Sequence, residues 1–281
     1  MKRQSSGCVD QEARQLMIKR KLAEVERVLQ QEPDIEVEEP PAEKQATVTG
    51  PTDRAVVQLP NGGGEVLVVI GTSEHAEIPG MIDRICYIVD KAYSSVGKHK
   101  HVDEYDARHR LAMGDAGPAA NRVLHLAFKG GELVGCASST FDPGWTPEGC
   151  GHWGLMAVDP ASQGQGIATA LVLACERRLA TVNEAIQIEY QYFAGDEHSR
   201  RLHAWYEEKL GFQGGGPPPR RGSSFRKCFK DIPEAQQRLG QRRRLLEIRG
   251  WLQDQLREAG GRPEEDRAPA AVEEACAAAV A

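Results

Sequence analysis

The stretch that decides the fold is His152-Trp153-Gly154-Leu155-Met156-Ala157-Val158-Asp159-Pro160-Ala161-Ser162-Gln163-Gly164-Gln165-Gly166-Ile167-Ala168. It reads as an apolar strand that feeds a glycine-rich turn and opens a helix. Leu155 to Val158 carry the strand character, Pro160 ends it, and Ile167 to Leu179 continues as an apolar segment long enough for a buried helix. The turn therefore lies at a helix start, where backbone N–H groups lack intrahelical partners and the helix dipole is positive. An anion can be held there without any basic side chain. Gly164 and Gly166 let the backbone approach that anion closely, and Ala168 keeps the first helical turn slim.

Two familiar phosphate loops fit poorly. A P-loop needs Gly-x4-Gly-Lys-Ser/Thr, and no Lys or Ser follows Gly166. The dinucleotide fingerprint fails because Thr169 stands where its third small residue belongs. What fits is Gln/Arg-x-x-Gly-x-Gly/Ala preceded by Val-x-Pro, here Val158-Asp159-Pro160 and then Gln163 to Ala168. This resembles the pyrophosphate loop of the GNAT family of N-acetyltransferases. The loop alone is equally compatible with a ligand-free helix start; its surroundings weigh against that.

Those surroundings supply an ordered set of elements. Glu65 to Gly71 reads as a strand, and Ile78, Ile82, Ile85, Val89 and Tyr93 then recur at helical spacing with Ser73 as a plausible N-cap. His101 to Met113 is a more polar helix. Val123 to Phe128 and Glu132 to Phe141 are strands joined by the tight turn Lys129-Gly130-Gly131. After the His152 strand and its helix come a strand at Ala185 to Phe193, a helix at Ser199 to Leu210, and a β-rich end at Phe212 and Phe225 to Lys230. The order β-α-α-β-β-β-α-β-α-β-β is similar to the GNAT arrangement over residues 65–230. The resemblance implies an α/β fold: a central mixed, mostly antiparallel sheet flanked by helices, with helical extensions at both ends.

Trp205-Tyr206-Glu207-Glu208-Lys209-Leu210-Gly211-Phe212 resembles the family's Tyr-x-x-x-Gly-Phe helix end. The family places its tyrosine four residues before that glycine, where this chain has Glu207. Tyr206 stands one residue earlier, about 100° around a regular helix. It turns toward the family's acid position only if the helix end is irregular; otherwise Trp205 and Tyr206 pack the helix on the sheet.

The resemblance implies acetyl-CoA as co-substrate, a primary amine on a small molecule or peptide as acceptor, and direct attack in a ternary complex. The amine must lose a proton, the oxyanion needs a donor, and the leaving thiolate must be neutralised. By the same resemblance the oxyanion donor maps onto the Met156 N–H. Val158 holds the pantetheine arm with Met156 and Ala157 beside it, and Gln163, Gly164, Gln165, Gly166, Ile167 and Ala168 hold the pyrophosphate. The catalytic candidates are His152 and Tyr206. Strand alternation puts His152, Gly154, Met156 and Val158 on one face. His152 lies at a position from which family members aim a Glu or His at the amine, and a neutral imidazole suits that task. The alternative is a solvated histidine at a strand start. Glu189, Tyr190 and Glu148 are reserves, and alternation lets at most one of Glu189 and Tyr190 face the cleft. A second reading of another class is a catalytically degenerate GNAT-fold interaction protein that binds acyl-CoA.

Composition sets the limits. A net charge of −6 over 281 residues argues against a nucleic-acid footprint. The 7 cysteines are scattered without Cys-x-x-Cys spacing, which points to reduced thiols in a cytosol-like compartment and offers no metal site. No apolar run reaches membrane-spanning length, and Met1 to Gly7 lacks a signal-peptide core. A cytoplasmic protein without a membrane partner is expected; Arg242-Arg243-Arg244 leaves a nuclear address open. Three domains are expected. Residues 1–54 form a helix with Ile18, Leu22, Val25 and Leu29 on one stripe, suited to a short coiled coil, plus a Pro/Glu-rich linker. Residues 55–230 form the transferase domain. Residues 231–281 form a helix with Leu245, Ile248, Leu252 and Leu256 on one stripe, and an Ala/Pro-rich tail. The two terminal helices are suited to pack on each other, to bind a protein partner or to self-associate. Lys98 to His101 and Gly214 to Gly222 flank the expected acceptor region without naming a substrate.

Overall fold

The computed structural model describes residues 6–31, 46–60, 63–94 and 102–259. The chain forms two compact units, Ile35–Arg243 and a helical unit from Met1–Asp34 and Arg244–Ala281. In the helical unit, α1 (Ser6–Gln31) packs against the second half of a long C-terminal helix, Glu234–Glu258. Ile18, Leu252 and Leu256 are buried between them, with Leu22, Val25, Ile248 and Trp251 alongside. The predicted stripes thus meet each other. Arg14 donates to the Gln255 side chain at 2.8 Å and Gln11 to the Ala259 carbonyl at 3.0 Å, so the two helices run antiparallel.

The larger unit is built on nine strands: β1 (Thr47–Thr49), β2 (Arg54–Gln58), β3 (Glu65–Ile70), β4 (Arg122–Lys129), β5 (Glu132–Thr140), β6 (Cys150–Val158), β7 (Ala185–Phe193), β8 (Gln213–Gly214) and β9 (Ser223–Asp231). Their order in the sheet is β1-β2-β3-β4-β5-β6-β7-β9-β8. Every pairing is antiparallel except β6 with β7, which is parallel. The expected mixed sheet flanked by helices is therefore present. Two strands precede the one read first in the sequence: β1 lies within the stretch read as linker, and its Val48 pairs with Val57 of β2.

Each face of the sheet carries its own core. On one side lie α3 (Met81–Ala92) and α4 (Glu104–Ala112), with Ile85, Ile88, Val89 and Leu111 buried on Leu124, Leu126 and Cys136. On the other lies α5 (Ile167–Leu179), with Ala170, Leu171, Ala174 and Cys175 buried against Val68, Ala137 and Trp153. The helix expected from Ser73 onward is broken. A single turn, α2 (Ser73–Ala76), ends before Pro79-Gly80, and α3 starts at Met81 behind Gly80 at φ 77. Proline has no N–H to continue a helix, and glycine alone adopts that φ without strain. Ile78 is consequently 47% exposed and not part of the core stripe.

Two irregularities decide where the site lies. Between the pairs Cys136 with Ala157 and Ser138 with Gly154, β6 has two residues, Leu155 and Met156, against the single Ala137 of β5. Leu155 is the inserted residue, the one non-glycine at positive φ among the described residues, at φ 48. Such a bulge reverses alternation beyond it. The second is the helix end after β7: α6 (Glu197–His203) continues as a π-turn at Ala204–Lys209 before Phe212 enters the next strand.

Candidate functional site

β6 and β7 pair only at Cys150 to His152 with Ala185 to Gln187. Beyond His152 the strands part, and the edge of β6 toward β7, from Trp153 to Val158, has no strand beside it among the described residues. The fork so formed is bounded at its far end by the start of α5. A short 3₁₀ turn at Pro160–Ser162 lies between, capped by the Asp159 carboxylate, which accepts from the Ala161 N–H at 3.3 Å. The Arg84 guanidinium also hydrogen-bonds Asp159, holding its carboxyl below the usual range and fixing the turn to α3.

The glycine loop behaves as its sequence indicates. Gly164 and Gly166 have φ 75 and 81, and Gly166 is the N-cap of α5. The amides of Ile167, Ala168 and Thr169 belong to the first turn, which has no earlier helical carbonyl to receive them. Gln163, Gly164 and Gln165 are exposed, and Lys129 donates to the side-chain amide oxygen of Gln165 at 3.1 Å. Open amides, left-handed glycines and a nearby ammonium suit a pyrophosphate.

His152 stands at the apex of the fork, cross-strand from Thr140 of β5 and Gln187 of β7. Its imidazole lies over Gly154, where a Cβ would come within 2.8 Å of the ring, so the glycine makes the space. Trp145 meets the ring edge-on at 5.6 Å between centroids. Burial pushes the imidazole pKa down, Glu189 opposes this, and Arg122 adds to it, so the ring is neutral near pH 7.

The expected grouping of His152, Gly154, Met156 and Val158 on one face is corrected by the bulge. His152 and Gly154 lie on the face opposite Trp153. Past Leu155 the order inverts: Leu155 packs on the α3 side, and Met156 and Val158 pack toward the α5 side with Trp153. Met156 and Val158 thus line the fork from a different face than His152. Ala157 is buried in the core on the α3 side.

Tyr206 reaches the fork through the π-turn. Its ring lies 5.1 Å from that of Tyr190, 5.0 Å from Trp205 and 5.8 Å from Trp153. Burial, and then the nearby Tyr93 phenol, raise its pKa, so it stays protonated. Glu207, the neighbour at the family's tyrosine position, turns to β9 and accepts both guanidinium branches of Arg226 at 2.7 Å. Glu189 and Tyr190 diverge as alternation requires. Tyr190 donates to Glu207 at 2.5 Å, and Glu189 accepts from Gln187 at 2.8 Å with Lys227 at 3.5 Å.

One residue was missed. Tyr93, which reads in the sequence as the last apolar position of a helical stripe, is the C-cap of α3, and its phenol oxygen accepts a hydrogen bond from the Met156 N–H. Burial pushes its pKa up to about 12. Its place just past a helix end, where a side chain leaves the stripe, was the available signal. Lys98 to His101 and the Pro/Glu-rich and Ala/Pro-rich segments at 32–45 and 263–281 lie outside the described residues. Among the described residues no cluster of His, Cys, Asp or Glu is placed to hold a metal ion, and no helix is long and apolar enough to cross a membrane.

Residues 82–212 match the model of the acetyltransferase (GNAT) family, a span that opens in α3 and closes at Phe212. This segment belongs to the GNAT family. Acetyl-CoA is the co-substrate of GNAT acetyltransferases, and the loop fits its pyrophosphate as described. Solved structures similar to this chain include an N-acetyltransferase from Staphylococcus aureus Mu50, at 15% identity over 60% of this chain and 99% of that one, TM-score 0.45. Others are the PaiA N-acetyltransferase from Thermoplasma acidophilum in complex with coenzyme A (11% identity, 59% and 99% covered, TM-score 0.44) and an acetyltransferase from Thermus thermophilus (17%, 59% and 97%, TM-score 0.41). No curated protein sequence matches the chain.

Proposed function

We propose that this GNAT domain is an N-acetyltransferase that moves the acetyl group of acetyl-CoA to a primary amine by direct attack in a ternary complex. The observation that carries this reading is the convergence at one fork of a neutral imidazole, an unpaired strand edge and an anion-binding helix start. When bound, acetyl-CoA supplies the acetyl group and a thiol leaving group. Gln163 to Ala168 hold the pyrophosphate through backbone amides, and the open edge of β6 lies along the pantetheine path. The Met156 N–H binds the acetyl oxygen once Tyr93 releases it. His152 takes the proton of the incoming amine, and Tyr206, held protonated, returns one to the departing sulfur.

The covered Met156 amide and Glu207 at the family's tyrosine position favour a second reading, a fork that binds acyl-CoA without turning over. One experiment separates the two. Acetyl-CoA should raise the thermal midpoint. Gln163→Glu, an exposed change that places a carboxylate beside the pyrophosphate, should weaken that binding by about tenfold or more. Thiol release with any of a panel of amines establishes turnover. Release with none, despite a midpoint shift, selects the second reading, and a shift unaltered in Gln163→Glu overturns the loop assignment.

A further inference from the structure

Two arginines near the fork are left without an anion. Arg122, at the start of β4, donates to the Thr140 hydroxyl at 3.0 Å and stacks over Trp145 at 5.4 Å. Arg110 projects from α4, and its Nε is buried without a hydrogen-bond partner among the described residues. Arg110 is near enough to Arg122 to disfavour its charge: burial, and then Arg110, lower the pKa of Arg122. Neither pairs with a carboxylate among the described residues. Holding two guanidinium groups together in a partly desolvated place is unfavourable unless an anion completes the cluster.

Their position gives that anion a role. Arg122, Thr140 and His152 form one cross-strand row on one face of the sheet, and Trp145 bridges the arginine to the imidazole. On the other side of His152 stands Glu189, a carboxylate held by Gln187 and Lys227. A molecule lying along this row meets negative charge near His152 and positive charge toward β4. We infer that Arg110 and Arg122 form an anion subsite that selects acceptors carrying a carboxylate or phosphate group beside the reacting amine. This rests on the N-acetyltransferase reading for the amine end only; the anion subsite is testable without it.

The test holds the protein at saturating coenzyme A, so that the glycine loop is filled, and titrates malonate or inorganic phosphate at constant ionic strength. A saturable rise in thermal midpoint is expected in the wild type, absent in Arg110→Gln and Arg122→Gln and partly kept in Arg122→Lys. Without anion, both glutamine variants should melt at or above the wild type, because a repulsion has been removed; this also shows that they fold. No saturable rise, or an equal rise in both glutamine variants, overturns the subsite. Thiol release then names the group. Glycine preferred over glycinamide by about tenfold identifies a carboxylate, and phosphoethanolamine preferred over ethanolamine by a similar factor identifies a phosphate. Neutral amines used as well as their anionic counterparts overturn the selection. A missing acetyl-CoA shift would count against the cofactor reading alone, since the anion titration of the arginine variants still decides the subsite.

Discussion

Glu207→Gln removes the carboxylate that fastens the π-turn to the sheet. Glu207 accepts both branches of Arg226, the Tyr190 hydroxyl at 2.5 Å and His203 at 3.0 Å. Burial pushes its carboxyl up, but the hydrogen bonds from Arg226, Tyr190 and His203 together outweigh this and hold it at about 2, against an ordinary 4.5. At about 1.4 kcal/mol per decade of acidity, that gap is worth about 3 kcal/mol at neutral pH. The side chains of Glu207 and Arg226 are 13% and 6% exposed, so solvent trims the figure only modestly, while Arg226 left unpaired adds to the loss. Because the folded pKa lies below the unfolded one, this stability is present above about pH 4.5 and is lost as pH falls toward 2. By pH 3 the wild type has given up about 2 kcal/mol of it, and the variant has none to lose. Urea unfolding followed by tryptophan fluorescence should show a gap of about 3 kcal/mol between the two proteins at pH 7, narrowing to about 1 at pH 3. A gap under about 1 kcal/mol at pH 7, or one that does not narrow, refutes the assignment of Glu207 as a buried structural anion.

Two further outcomes bear on the reaction. With His152 as base, the acid limb of the kcat/KM profile lies below the ordinary histidine value of 6.5. Glu189 raises the imidazole pKa, so Glu189→Gln should move that limb to still lower pH, and His152→Gln should remove it while leaving acetyl-CoA affinity intact. An upward movement contradicts the charge arrangement. Tyr93→Phe leaves the Met156 amide without its phenol partner, which should cost about 1–2 kcal/mol of stability in urea. The same variant frees that amide for the acetyl oxygen, so acetyl-CoA should bind about fivefold more tightly by calorimetry, with coenzyme A itself unchanged. Weaker or equal acetyl-CoA binding denies that the phenol competes for the amide.

The parts of this fold that repeat a period were legible. Ala185 to Phe193 is a strand at the bounds its alternation indicates, and Val158-Asp159-Pro160 with Gln163 to Ala168 marks the loop on composition alone, because glycines at φ 75 and 81 have no cheap substitute. What stayed hidden are single residues out of period. Leu155 has an ordinary strand side chain and nothing in the sequence announces its φ of 48, yet this one residue moves Met156 and Val158 off the face of His152. The π-turn likewise leaves no mark except the tyrosine displaced from Glu207 to Tyr206, which the irregular helix end then absorbs.

Both irregularities border the same fork, and that coincidence has a physical reading. A leucine held in the left-handed region costs about 1–2 kcal/mol, a π-turn gives up regular i to i−4 bonding, and neither serves the packing of a sheet on helices. Each survives because its surroundings over-determine it. Ala157 is buried in the core beneath α3 on one side of the bulge, and Trp153 is buried to 2% in the core beneath α5 on the other, so the extra residue has no route out of β6. Glu207 pins the π-turn through Arg226 in the same way. The bulge lets Met156 face away from His152, and the π-turn lets Tyr206 arrive beside Trp153. The proposed base, amide and acid therefore approach the fork from three different directions, which a regular strand and a regular helix would not allow.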